Sequence, residues 1–127
     1  MTDPPLPIEV VAFVQVAIPS IWTLELLLFL TGRAPASFAE EELVRELRAS
    51  PVLIADTLAG LKRAGLVEEE LAGGFRYRPA SAAAAALVED LRRLSVERPV
   101  ALRNAILAAP HQRVLVFANA FRIKKQD

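Results

Sequence analysis

Two segments near the middle of the chain carry apolar residues at the spacing of amphipathic helices. In the first, the apolar stripe consists of Leu43, Val44 and Leu47. In the second, the apolar residues fall at i, i+4 and i+7, so one helical face carries all three. They are Ile54, Leu58 and Leu61. The pattern predicts two short helices in succession, each with one buried face.

Capping residues predict where these helices begin and end. Ser37 and Glu40 have the spacing of a capping box, and Glu40 opens a run of three glutamates that suits the positive end of a helix dipole. Between the helices, Ser50 is expected to cap the second helix, with Pro51 in its first position. Gly65 is expected to end that helix.

A hairpin is predicted directly after the second helix. Residues 66–71 (LVEEEL) and 75–78 (FRYR) read as strands, and the glycines of residues 72–74 (AGG) supply the turn. Alternation along the returning strand places its two aromatic residues on one face and its two arginines on the other. The central pattern is therefore helix, turn, helix and hairpin.

The N-terminal segment is more ambiguous. Residues 8–18 (IEVVAFVQVAI) alternate as a strand would, but the preceding Pro7 and the lack of a nearby partner strand favour a helix. Ser20 is expected to cap a further apolar helix over residues 21–31. Residues 8–30 are long enough for a membrane span, yet three polar residues and the Pro19-Ser20 break argue against one.

The C-terminal part reads as three more helices. Ser81 caps the first, which contains a Glu89–Arg93 pair at i,i+4 and ends at Arg98-Pro99. Residues 100–108 form the second, with Leu102 and Ile106 on one side. The third begins at Pro110. We therefore expect a single domain over residues 1–127, mainly α with a small β-hairpin.

The central segments resemble winged helix-turn-helix regulators of the MarR-like kind. The resemblance rests on four stretches and on the pattern LxxLxxxGLV in the third: SIWTLELLLFL (20–30), ELVRELRAS (42–50), PVLIADTLAGLKRAGLVE (51–68) and GGFRYRPAS (73–81). It implies a winged-helix core over residues 20–79, flanked by residues 8–18 and by helices over 81–125. It further implies a dimeric, bacterial-type transcription regulator, with the second helix in the DNA major groove and the hairpin as its wing.

Composition agrees with a dimer. Hydrophobic residues make up 54% of the 127, and the mean hydropathy is +0.34, which is high for a monomer of this size. The residues expected at the dimer interface lie in the N-terminal helix and the last helix: Val11, Val14, Ile18, Val114, Phe117 and Phe121. The absence of cysteine and of a basic secretory leader predicts a cytoplasmic protein.

Charge leaves two partners open. Residues 1–79 hold seven basic and eleven acidic residues, a sum of −4, whereas residues 80–127 hold eight and four, a sum of +4. A net negative charge on the half that contains the helix-turn-helix is unusual for a DNA-binding protein. The alternative is therefore a protein-docking module that controls another regulator. The residues expected to bind DNA or that partner are Arg45, Arg48, Val52, Leu53, Asp56, Ala59, Lys62, Arg63, Arg76 and Arg78.

Nothing in the sequence predicts an enzyme. His111 is the only histidine, so a catalytic triad or a zinc site would depend on that one residue. Neither GxxxxGK[ST] nor GxGxxG occurs, and the paired glycines at 73–74 belong to the hairpin turn. We expect no catalytic residues, no metal and no cofactor.

Overall fold

A computed structural model describes residues 5–108. The chain forms six helices and two strands there, in the order helix, helix, helix, helix, strand, strand, helix, helix. They are α1 (Ile8–Ala17), α2 (Ile21–Gly32), α3 (Glu40–Leu47), α4 (Pro51–Arg63), β1 (Val67–Glu69), β2 (Phe75–Tyr77), α5 (Ala82–Glu97) and α6 (Pro99–Ala108). The fold is mainly helical with a small antiparallel hairpin, as the sequence predicts. The helix predicted to begin at Pro110 lies outside the described residues.

The ambiguous N-terminal segment is a helix. The backbone N–H groups of Val10 and Val11 both donate to the carbonyl of Pro7, which therefore opens α1 as predicted. Ser20 caps α2 by accepting a hydrogen bond from the N–H of Thr23 at 3.2 Å. Across residues 5–108, no single helix is long and apolar enough to cross a membrane. α1 and α2 reach that length only together, and they are bent by 103°.

The hydrophobic core draws buried residues from all six helices and the hairpin, and one part of it lies where α2, α3 and α4 meet. The three inward residues predicted for α4 are buried: Ile54, Leu58 and Leu61. They share the core with Leu43 of α3 and with Leu26, Leu27 and Leu30 of α2. At the start of α4, the Ser50 hydroxyl accepts the N–H of Leu53 at 3.1 Å, and Pro51 occupies the first turn. Both features match the prediction.

The hairpin pairs in a register that places Glu68 opposite Arg76. β1 and β2 run antiparallel, with Val67 opposite Tyr77 and Glu69 opposite Phe75. The strands are shorter than predicted, because Glu70 and Gly73 already form the turn through their backbone hydrogen bond of 2.8 Å. Gly65 lies just after the end of α4 and adopts a φ of +76°, a left-handed conformation that favours glycine.

The predicted capping box at Ser37 and Glu40 is wrong. Phe38 is extended and forms an isolated antiparallel bridge with Phe75, so α3 begins only after Ala39. The backbone N–H of Ala39 donates to Glu42 Oε1 at 2.9 Å, and the hydroxyl of Ser37 donates to Glu70 Oε1 on the hairpin turn. A tertiary contact has therefore moved the helix start past the local capping signal.

Helix α5 follows the Ser81 cap, whose hydroxyl accepts the N–H of Ala84 at 3.1 Å. The predicted Glu89–Arg93 pair is replaced by neighbouring pairs: Arg92 with Glu89 at 3.4 Å, and Arg93 with Asp90 at 3.1 Å and with Glu97 at 3.8 Å. α5 packs against α1. α6 begins at Pro99 and buries Leu102 and Ile106, as the pattern predicts.

Two of the predicted dimer-interface residues belong to the protomer's own core. Val14 and Ile18 each have 0% of their surface exposed, so neither is available to a partner, and that part of the prediction is wrong. Val11 is half-buried. Val114, Phe117 and Phe121 lie outside the described residues. The exposed apolar residues of α1 are instead Ile8 at 82% and Val16 at 84%.

Candidate functional site

Helix α4 presents an uncovered face to solvent. Val52 is 71% exposed, and Asp56, Ala59 and Arg63 on the same side of the helix are also exposed. These four residues fall within one face at about 100° per residue, opposite the buried stripe. The prediction that they point outward is therefore confirmed. Leu53 is different, because neighbouring side chains cover it in part.

Thr57 is a buried polar residue of α4 that the sequence analysis did not single out. Its hydroxyl donates to the carbonyl of Leu53 at 2.7 Å, which satisfies it without another side chain. The signal was available, since Thr57 lies three residues after Ile54 and four before Leu61 on the inward face. Thr57 serves the fold rather than the exposed face.

One flank of α4 faces the corner between α1 and α2 across an open cleft of about 230 Å³. Leu53, Asp56, Gly60 and Arg63 line the cleft from α4, and Pro19 lies among the residues on the other side. A Cβ built on Gly60 would meet only Arg63 Nη2, at 3.8 Å. The Arg63 guanidinium therefore lies back along the helix, beside the glycine.

The other flank of α4 is joined to the hairpin by one ion pair, and further ion pairs lie within the hairpin. Lys62 Nζ lies 2.9 Å from Glu69 Oε1. On the hairpin, Glu68 Oε2 accepts from Arg76 Nε at 2.9 Å and lies 2.8 Å from Arg76 Nη2, while Arg78 Nη1 lies 3.5 Å away. Two consecutive glutamates of β1 thus engage three of the six cations predicted for the site.

Glu68 stays ionised in this arrangement. Its hydrogen bond from Arg76, with the charges of Arg76 and Arg78, lowers the pKa of the carboxyl below 4.5, against the opposing effect of desolvation. The sequence does not predict these ion pairs, because they depend on a register that places Glu68 directly opposite Arg76.

The other three predicted cations surround the exposed face of α4 without such partners. Arg45, Arg48 and Arg63 are all exposed, and none forms an ion pair within residues 5–108. Arg48 lies in the turn between α3 and α4 with a φ of 53°, a left-handed conformation that ends α3. The structure therefore divides the six cations into three paired and three available groups.

The remaining chemistry of the described part is sparse. No group of three or more His, Asp or Glu side chains that could hold a metal ion occurs among residues 5–108. A second open cleft of about 440 Å³ lies between the end of α4 and the hairpin, and its polar lining is the paired Lys62, Glu68, Glu69 and Arg78.

No protein-family model, curated protein or solved structure matches this chain.

Proposed function

We propose that this chain is a winged helix-turn-helix transcription regulator that binds DNA in the cytoplasm by placing the exposed face of α4 in the major groove. The observation that carries the proposal is that face itself. It is exposed over three helical turns, and the arginines around it form no ion pair with any residue between 5 and 108. An exposed helix of this length matches the element that helix-turn-helix proteins insert between the DNA backbones.

The order of elements supports the winged-helix assignment. α2 is followed by the bridge residue Phe38, then by α3, a tight turn, α4 and the hairpin. Phe38 adds a third extended segment beside Phe75, so the hairpin is held against the segment that precedes α3. In the resemblance to MarR-like regulators, α3 is the supporting helix, α4 the recognition helix and the hairpin the wing.

The available cations support contact with phosphates. Arg48 lies at the turn before α4 and Arg63 at the last turn of the helix, so the two flank the exposed face from its two ends. Arg45 adds a third guanidinium in the last turn of α3. Arginines in these places can bind the DNA backbone on both sides of an inserted helix. Val52 is placed to contact thymine methyl groups.

Self-association forms part of the proposal. The exposed Ile8 and Val16 of α1 give an apolar surface that does not depend on the buried Val14 and Ile18. A dimer would place two copies of α4 on a two-fold symmetric DNA site. Size-exclusion chromatography with light scattering tests this part. A dimer at micromolar concentration is expected, and a monomer at higher concentration would contradict it.

A binding series with genomic DNA fragments tests the main proposal. Wild type should retain specific fragments, and the logarithm of its affinity should fall linearly with the logarithm of salt concentration. Arg63→Gln should lower the affinity by about tenfold, because a charge-assisted contact contributes about 1.5 kcal/mol or more. Arg103→Gln is the matched control, since Arg103 is an exposed arginine of α6 and lies in a different cleft, between α2 and α6. The absence of any retained fragment at low salt would refute DNA binding.

A protein-docking module is the second candidate, and the β1 glutamates favour it. Glu68 and Glu69 offset the charge of the hairpin, which leaves Val52 and Asp56 as prominent features of the exposed face. Val52→Asp is a sharper probe than the half-buried Leu53, since it alters the surface without disturbing the core. Proteins captured from the native cell by wild type but lost with Val52→Asp, together with no DNA binding, would favour docking.

A further inference from the structure

We infer that Glu68 and Glu69 determine specificity by cancelling the sequence-independent attraction between the hairpin and DNA phosphates. This inference rests on the proposed binding of DNA through α4. The chain then selects DNA with the exposed face of α4 and the three arginines around it. The two glutamates of β1 prevent the hairpin from binding to duplex DNA of any sequence.

The ion pairs occupy the cations that a wing would offer to the backbone. Glu68 accepts from both hairpin arginines, and Glu69 binds the lysine at the end of α4. A carboxylate that bridges two guanidinium groups takes the same donors that a phosphate would use. A DNA phosphate must therefore compete with Glu68 for the Nε and Nη2 donors of Arg76, and at Arg78 it meets the negative charge of the same carboxylate.

The geometry makes Glu68 a stronger competitor than an ordinary surface glutamate. Arg76 contributes both Nε and Nη2 to the same oxygen, at 2.9 and 2.8 Å, and its side chain is only 27% exposed. The cross-strand register holds the two residues directly opposite each other, so their side chains meet without any movement of the backbone. The lowered pKa of Glu68 agrees with this geometry, because the hydrogen bond from Arg76 favours the charged carboxylate.

The effect on DNA binding follows from counterion release. Each phosphate that a protein cation neutralises adds about 0.9 to the slope of log affinity against log salt on duplex DNA. Arg45, Arg48 and Arg63 alone give a slope of about −3 for each chain, whereas all six cations would give about −5. This electrostatic contribution dominates nonspecific affinity. The pairing of the three cations therefore has its largest effect on the affinity for DNA of random sequence.

The test compares two variants with the same change in net charge. E68Q/E69Q removes two carboxylates from the hairpin pairs, while D90N/E97Q removes two from Arg93 on α5, which packs against α1. Each variant loses two negative charges, so the net charge rises by two in both. The measurements are the salt slope for a random duplex, the ratio of specific to random affinity, and the salt concentration at which each protein elutes from immobilised heparin.

E68Q/E69Q is expected to steepen the random-duplex slope by about 2 to 3 for each chain, to lower the specificity ratio several-fold and to elute from heparin at higher salt. D90N/E97Q should stay near wild type in all three. The inference would be overturned if E68Q/E69Q had the same salt slope and heparin elution as wild type. It would also be overturned if D90N/E97Q showed the same increase in salt slope and elution as E68Q/E69Q.

A mutational cycle tests the pair directly. Arg78→Gln should change random-duplex affinity by less than twofold in wild type, where Glu68 already engages it, and by more in the E68Q background. Equal losses in both backgrounds would overturn the inference. The proposed function fails separately, by the absence of specific fragments with wild type, because heparin elution reports the hairpin cations whether or not α4 reads DNA. If E68Q/E69Q does not fold, E69Q alone repeats the slope test at Lys62, with an expected steepening of about 1.

Discussion

Phe38 exchanges two backbone hydrogen bonds with Phe75, Phe38 N donating at 2.9 Å and Phe75 N donating at 2.8 Å. The Phe38 ring also packs edge-on against Phe29 of α2, with centroids 5.2 Å apart. This bridge attaches the hairpin to the segment between α2 and α3. The position of the hairpin beside α4 therefore depends on residues that lie 37 positions apart in the sequence.

Gly74 should be intolerant of larger side chains because it lies against this bridge. A Cβ at Gly74 would lie 3.1 Å from Ser37 Cβ and 3.7 Å from the backbone of Phe38. Gly74→Val should therefore lower the free energy of unfolding by about 1–3 kcal/mol through overpacking. Urea denaturation measures the loss. Gly32→Ala is the control, since a Cβ there meets nothing within 4 Å, and it should be neutral or stabilising.

Ser50 and Ser37 should differ in their effect on stability. Ser50 caps α4 through the N–H of Leu53, so Ser50→Ala should cost about 1 kcal/mol. Ser37 is exposed, caps no helix and bonds through its side chain to Glu70, so Ser37→Ala should cost about 0.5 kcal/mol or less. Thermal unfolding of the two variants under identical conditions checks the difference. Equal losses would mean that Ser37 does cap α3, as its spacing from Glu40 suggests.

The same contrast shows what the sequence could predict. Ser20, Ser50 and Ser81 each accept the N–H of the residue three positions later, and such signals are local enough to read directly. The start of α3 was misplaced because the decisive partner of Phe38 comes from a distant strand. Propensity and spacing give no information on a contact of that kind.

The sequence could likewise predict some features of the candidate site and not others. The outward direction of Val52 and Asp56 follows from the helical period, so it could be predicted once Ile54 and Leu58 were recognised as buried. The pairing of Lys62 with Glu69 depends on how the hairpin returns beside α4. Val14 was assigned to a dimer interface because apolar spacing alone does not distinguish a protomer core from a partner surface.

Truncation of a side chain should lower the stability far more on the buried side of α4 than on its exposed side. Leu58 is 1% exposed, so Leu58→Ala should cost about 2–5 kcal/mol by loss of burial and by the cavity left behind. Val52 is largely exposed, so Val52→Ala should change stability by about 0.5 kcal/mol or less while still altering any contact made by that face. Denaturant unfolding separates the two. A large loss for Val52→Ala would show that this face packs inside the protein.

Tyr77 offers a direct test of how close the charged residues of α5 lie to the hairpin. Partial burial raises its pKa above 10.0, the charge of Glu89 raises it further, and the charge of Arg92 acts in the opposite direction. Because the folded protein holds the phenolic proton more tightly than the unfolded chain, this stabilisation is complete below pH ~10. It is lost as pH rises through the folded pKa.

Tyr77 is the only tyrosine, so the ultraviolet absorbance of its phenolate reports one group. The midpoint should lie above 10.0 in the folded protein and return to about 10 in denaturant. Glu89→Gln should lower the folded midpoint and Arg92→Gln should raise it, because each removes one of the two opposing charges. A midpoint that neither variant moves would place α5 farther from Tyr77 than the structure does.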